Sequence, residues 1–287
     1  MDASLYTQPK IDCHCHVLDP HGFAYASDVP YRPAGPETGS ADYFTHVLEA
    51  YGVQHALLVG PNSGYGTDNR CLLDAIAKGQ GRFKGIAVVA NHTSPGELAD
   101  LQAQGIVGIA FNYALHGLAY YQTNTALMEH LAALGMFVQV QTIEDQLATL
   151  TPALLGSGAQ IFIDHCGRPT PSKRAADAGF DALLALAQCQ RATVKLSGLS
   201  KFSAESYPFA DTQALVQELL QAYGPEHCIW ASDWPFLRAP QRLDYGPLLQ
   251  LFASAVPDAN QRGAILWDTP RRLFGFGAPD ALTAPRA

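Results

Sequence analysis

The chain has 287 residues, 48% of them hydrophobic and only 15% charged, with 18 Lys and Arg against 26 Asp and Glu. A formal net charge of −8 without a basic cluster argues against a nucleic-acid surface. No apolar run approaches the roughly 20 residues that span a bilayer, so a membrane partner is excluded too.

The first ten residues, MDASLYTQPK, lack the apolar segment of a secretory signal. Six cysteines without such a signal read as free thiols in a reducing compartment, and the chain is expected to be cytoplasmic. The first candidate strand is Ile11–Cys15. A Pro/Gly-rich piece, DVPYRPAGPETGS, follows it, and then Phe44, Val47, Leu48 and Tyr51 recur at helical spacing before a stop at Gly52. His55–Val59 and 83–89 are the next strands. Ser94 to Glu97 (SPGE) forms a capping box with proline at the first helical position. Strands at 108–111, 136–140, Gln160–Ile163, 193–196 and 229–230 complete the set. Asp211 is placed to cap the helix that carries Leu215 and Leu219 and ends near Gly224.

Strand then helix, repeated eight times, calls for parallel pairing with crossover helices. At this length the simplest solution is one (β/α)8 TIM-like barrel spanning 1–287, with a doubly wound open sheet as the alternative.

Polar residues cluster at strand ends. In KIDCHCHVLDP, from Lys10, strict alternation puts Asp12, His14 and His16 on one side and Ile11, Cys13 and Cys15 on the other. Facing the barrel axis, the first set sits where barrel chemistry is built, while the cysteines pack under helices as small hydrophobes. That geometry argues against a mixed Cys/His zinc knot. A pair of surface histidines is the plain alternative, but similar residues end other strands. FIDHCGRP holds Asp164, His165 and Arg168, and IWASDWPF holds Asp233. An aspartate there is costly to desolvate unless it is used. In a barrel, His14, His16, His165 and Asp233 converge on one mouth.

The motifs DCHCH, DHCGRP, WASDWP and DTPRRLFGF, together with GYGTDNR and GRFKGIAVV, resemble the amidohydrolase superfamily over nearly the whole chain. The likeness is to the branch of 2-pyrone-4,6-dicarboxylate lactonase and related sugar-lactone hydrolases. Dinuclear members carry a carboxylated lysine after strand four and a histidine after strand five. Here those strands read GIAFNY and MFVQVQT, which supply neither. The resemblance favours metal-free catalysis. A zinc or manganese ion on His14, His16 and Asp233 is the alternative.

The resemblance implies opening of a lactone or other cyclic ester. Asp233 is the expected general base, with a pKa raised by burial beside Trp234. His14, His16 and His165 are expected to donate hydrogen bonds to the carbonyl. Arg168 would grip a substrate carboxylate in bidentate fashion. Tyr31 matches a substrate-contacting tyrosine of the branch, and Asn62 and Ser63 lie where it also contacts substrate. Three arginines of the dicarboxylate-cleaving members are replaced by Ala110, His116 and Lys201. The expected small-molecule partner is therefore a lactone with at most one carboxylate, or the corresponding carboxylic acid. Metal-dependent non-oxidative decarboxylation, lactone isomerisation and a silent acid-binding barrel are the competing readings. His46, His55, His92 and His130 are expected to be structural or solvated, and Trp267 and Phe274 to pack the C-terminal segment on the barrel. No P-loop or dinucleotide fingerprint occurs.

Overall fold

In a computed structural model that describes residues 4–278, the eight expected runs form a single sheet. The strands are β1 (Ile11–Cys15), β2 (His55–Val59), β3 (Phe83–Ala87), β4 (Ile106–Asn112), β5 (Phe137–Gln141), β6 (Gln160–Ile163), β7 (Ala192–Leu196) and β8 (Cys228–Trp230). Each pairs in parallel with the next in chain order. Backbone bonds close the last seam. The Asp233 N–H donates to the His14 carbonyl and the His16 N–H to the Trp234 carbonyl, both at 2.8 Å. The fold is thus the barrel, not the open sheet. Three strand boundaries coincide with the expectation, and the others move by up to two residues.

Helices cover the outside. Ala41–Ala50 begins at Ser40, whose hydroxyl accepts from the Tyr43 N–H, and the chain leaves it through Gly52 at φ +65°. Pro95–Ala103 carries the Ser94/Glu97 capping box. Gln213–Tyr223 differs from expectation: Asp211 does not cap it. A tight turn over Ala210–Thr212 puts Thr212 at the cap, and the Asp211 carboxylate instead accepts from the Ala204 N–H and the Ser203 hydroxyl.

Two apolar layers result. Ile11, Leu57, Val59, Ile86, Phe137, Phe162 and Ile229 fill the barrel interior, where Trp267 and Phe274 also pack. Ala56, Leu58, Val140, Ile163 and Val194 lie in the second layer with helix residues such as Leu48, Leu98 and Leu219.

Strict alternation fails in β1. Between the pairs Asp12–Ala56 and Cys15–Leu58, β1 uses three residues against two on β2, which is a β-bulge. Consequently Cys13 joins the barrel interior and Cys15 the outer layer. His14 and His16 both reach the cavity, whereas Asp12 points elsewhere. Its carboxylate accepts from the Ser232 N–H (3.0 Å), the Ser232 hydroxyl (2.5 Å) and the Tyr245 hydroxyl (2.9 Å) on helix Tyr245–Ala255. Asp12 is a buried anchor of the β1–β8 seam. Among the described residues, no helix is long and apolar enough to cross a membrane.

Candidate active site

A cavity of about 480 Å³ opens at the carboxyl ends of the strands. His14, His16, His165 and Asp233, from three separate segments, meet on its wall. Asp233 Oδ1 lies 3.8 Å from His14 Nε2, 3.8 Å from His16 Nε2 and 3.6 Å from His165 Nε2. The seam bonds described above place Asp233 beside β1. Asp233 (φ +62°), His165 (φ +51°) and Arg168 (φ +51°) all adopt the left-handed region, as functional turns often do. Gly198 leaves room for one of the rings, since a Cβ there would meet His165 Cγ and Nδ1 at 2.6 Å.

Each imidazole is oriented from behind. His16 Nδ1 lies 2.8 Å from the Val59 carbonyl. A carbonyl only accepts, so Nδ1 carries the proton and, in the neutral ring, Nε2 presents a lone pair. In that neutral form His16 accepts at Nε2, where the sequence leads one to expect a donor. His165 Nδ1 bonds the Ser197 hydroxyl at 3.0 Å. His14 Nδ1 has two neighbours, Asp164 Oδ1 at 3.3 Å and Lys195 Nζ at 3.2 Å. Burial pushes the His14 pKa down to about 4, with the Lys195 charge acting in the same direction and Asp164 opposing both. Burial likewise holds His165 well below the usual histidine value.

Asp233 is a correction. Burial does raise its pKa, but Lys201 and His165, with the other histidines, outweigh that and hold it well below the usual carboxylate range. Lys201 Nζ sits 2.8 Å from Oδ2. A base expected to be tuned upward is instead a firmly ionised carboxylate, because three imidazoles and an ammonium surround it.

The other expected site residues divide. Asn62, Ser63, Arg168 and Lys201 line the cavity. Burial depresses the Arg168 guanidinium pKa, and its Nε is buried without a hydrogen-bond partner. His116 lies behind the wall, 3.3 Å from Asn62 Oδ1 and stacked on Tyr120. Tyr31 is not among the lining residues. Its hydroxyl bonds Glu37 and its ring lies under the Arg238 guanidinium. Ala110, where the resemblance leads one to expect an arginine, lines the cavity. His46, His55, His92 and His130 stand away from it.

Three further groups were not singled out for roles: Lys195, Gln139 and Asp164. Gln139 Nε2 donates to Asp164 Oδ2 at 2.9 Å, and Lys195 Nζ donates to Gln139 Oε1 at 2.6 Å and to Asp164 Oδ1 at 3.0 Å. The available signal was a lysine inside the apolar strand TVKL, costly to bury unless paired. Arg238, which also lines the cavity, had no such signal.

The donor set fits a metal ion. Ligand atoms of His14, His16 and Asp233 lie within 4.8 Å of one another, all buried, and neutral imidazole with carboxylate suits zinc. Lys201 on the other Asp233 oxygen and Lys195 against His14 place protein cations at the same groups.

A parallel (β/α)8 barrel with histidines and an aspartate converging at the carboxyl-terminal mouth defines a barrel enzyme of the hydrolytic type. The chain belongs to the amidohydrolase family, whose model matches residues 11–276. A 4-sulfomuconolactone hydrolase of Rhizobium radiobacter is 31% identical over 271 residues, covering 92% of this chain and 89% of the relative. A 2-pyrone-4,6-dicarboxylate hydrolase of Comamonas testosteroni is 25% identical, with 92% and 89% covered. Among solved structures, a probable 2-pyrone-4,6-dicarboxylic acid hydrolase from Acinetobacter baumannii, with citric acid bound, superposes with a TM-score of 0.83. It is 29% identical, and the match covers 93% of this chain and 99% of that one.

Proposed function

We propose that the protein hydrolyses the ring ester of a small lactone carrying at most one carboxylate. The observation that carries this reading is the Asp233 carboxylate held under three imidazoles on the wall of a cavity that also holds Arg168. The relatives that open lactones support it. So does the loss of positive charge at Ala110.

The substrate's carboxylate would pair with the free face of Arg168, aiming the ring carbonyl at the histidines. Water attacks the carbonyl carbon as its proton passes to Asp233. The oxyanion is stabilised by hydrogen bonds from the histidines able to donate, drawn from His14 and His165, each such donor being worth about 2.7–4 kcal/mol. Collapse breaks the ring C–O bond, and the proton on Asp233 passes to the leaving alkoxide. Each turnover thus adds one water and releases one new carboxylic acid. We favour the metal-free route because Lys201 already supplies a cation at Asp233. His14, His16 and Asp233 would hold a zinc or manganese ion, which when bound would polarise the carbonyl. Decarboxylation is less well supported, since Gln139 stands at strand five with its amide committed to Asp164 and Lys195. Six free thiols, five of them buried, favour a cytoplasmic setting.

The test is acid release in a pH-stat over lactones that differ only in carboxylate number, beside metal analysis of the purified protein. Acid without CO₂ is expected from neutral and monocarboxylate rings. No acid from any ring refutes the activity, and efficient turnover of 2-pyrone-4,6-dicarboxylate refutes the carboxylate limit.

A further inference from the structure

Lys195 has no part in the mechanism above, yet it is wholly buried beneath the site. An ammonium has three N–H donors and no lone pair, and a buried charged donor left without an acceptor is costly. Lys195 Nζ has three polar neighbours: Gln139 Oε1 at 2.6 Å, Asp164 Oδ1 at 3.0 Å and His14 Nδ1 at 3.2 Å. The Gln139 orientation is fixed, because its NH₂ is needed by Asp164 Oδ2 and its carbonyl by Lys195. Two of the three donors are therefore spent on Gln139 and Asp164, and the third points at His14.

That count decides what Nδ1 of His14 carries. A proton there could donate only to Asp164 Oδ1, 3.3 Å away and already taken by Lys195 at 3.0 Å. It would also face the third ammonium N–H, leaving that donor only the Phe162 ring, 5.9 Å from Nζ. A lone pair there satisfies the ammonium and sends the imidazole proton to Nε2. We propose that Lys195 holds His14 as its Nε2–H tautomer, so that His14 meets the cavity as a donor while its neighbour His16 meets it as an acceptor. The two histidines of one H-x-H motif then have opposite polarity. Resting on the lactone reading, His14 supplies the oxyanion donor and His16 receives a hydrogen bond from the attacking water. The same proton opposes a metal, since His14 cannot ligate through Nε2 until that proton leaves. Lys195 is thus a positioning residue, acting through His14.

The full chain, labelled with ¹⁵N-histidine and treated with chelator, tests this by long-range ¹H–¹⁵N correlation, with signals assigned from single His14→Gln and His16→Gln variants. An Nε2–H pattern for His14 and an Nδ1–H pattern for His16 are expected. An Nδ1–H pattern for His14 overturns the proposal. A Lys195→Met, Asp164→Asn double variant removes both charges, so neither is stranded. It is expected to release His14 to the Nδ1–H form and to raise Zn²⁺ affinity at least tenfold by chelator competition. An unchanged tautomer, or Zn²⁺ affinity within twofold of wild type, overturns the role of Lys195. If the double variant does not fold, the wild-type spectrum still decides. No substrate is involved, so an inactive protein with the expected spectrum would refute the lactonase reading and leave this assignment standing.

Discussion

Replacing Arg168 with methionine keeps the apolar stem and removes the guanidinium. In the free protein that group is half-buried and its Nε has no partner, so little native stability depends on it. Its value lies in the substrate complex, where a carboxylate would complete the fork. A hydrogen bond to a charged group contributes about 1.5–3 kcal/mol. At 1.36 kcal/mol per tenfold, losing one such bond lowers kcat/KM about 10- to 150-fold for a monocarboxylate lactone. A neutral lactone of the same ring cannot use the fork and should change less than threefold. The assay is a pH-stat comparison of the two lactones on wild type and Arg168→Met, with thermal denaturation to show an unchanged fold. Equal losses on both lactones would show that Arg168 shapes the cavity rather than reading a carboxylate, and would refute the reasoning.

Asp233→Asn should lower kcat at least a hundredfold, because general-base assistance is typically worth that much or more. A variant whose binding alone changed would instead indicate a silent acid-binding barrel. Ala110→Arg should raise the preference for a dicarboxylate over a monocarboxylate lactone by about tenfold or more, measured as a ratio of kcat/KM values; an unchanged ratio would place the β4 position outside the specificity site. Because burial lowers the folded pKa of His14 to about 4 from an unfolded value near 6.5, its contribution to stability is present above 6.5 and lost as the pH falls toward 4. Urea denaturation should show about 2 kcal/mol less stability at pH 5 than at pH 7 from this group, with the likewise depressed His165 acting in the same direction. Coincident midpoints at the two pH values would contradict the burial of the neutral ring.

Much of the fold was legible because its signals are local. Short β-branched runs alternating with capped helices survive in a linear reading, and three strands were bounded to the residue. The convergence of His14, His16, His165 and Asp233 followed once the runs were closed into a barrel. What escaped was set by relations between distant segments. One extra residue in β1 against β2 turns Asp12 away from the histidines, and nothing within IDCHC marks the slip. Burial alone points the Asp233 pKa upward, whereas its direction is decided by Lys201, 32 positions earlier. Lys195 gave a signal, a lysine in an apolar strand, but its partners lie on β1, β5 and just after β6 and are invisible along the chain. The cap of Gln213–Tyr223 falls one residue beyond Asp211, because the tight turn over Ala210–Thr212 carries the chain into the helix.

The β1 bulge and the β8 seam are one device. The bulge turns Asp12 outward while His14 and His16, which alternation keeps on one side, face the cavity, and the backbone bonds from Asp233 to His14 and from His16 to Trp234 set the carboxylate against them. Asp12 secures that junction from outside through Ser232 and Tyr245. The reacting groups therefore share their support with barrel closure, whereas Arg168 and Lys201 stand on loops outside the seam. Perturbing the two sets should differ in kind. Asp12→Ala leaves four buried donors unsatisfied, the Ser232 N–H and hydroxyl, the Tyr245 hydroxyl and the His14 N–H. Each costs about 1–3 kcal/mol, so the variant should lower stability by at least about 4 kcal/mol and take kcat down with it. Lys201→Met should leave the seam's backbone bonds in place but, by removing the cation at Asp233 Oδ2, raise the Asp233 pKa and shift the acid limb of the kcat/KM–pH profile upward. An Asp12→Ala protein that lost stability but kept full kcat would separate barrel closure from the placement of Asp233.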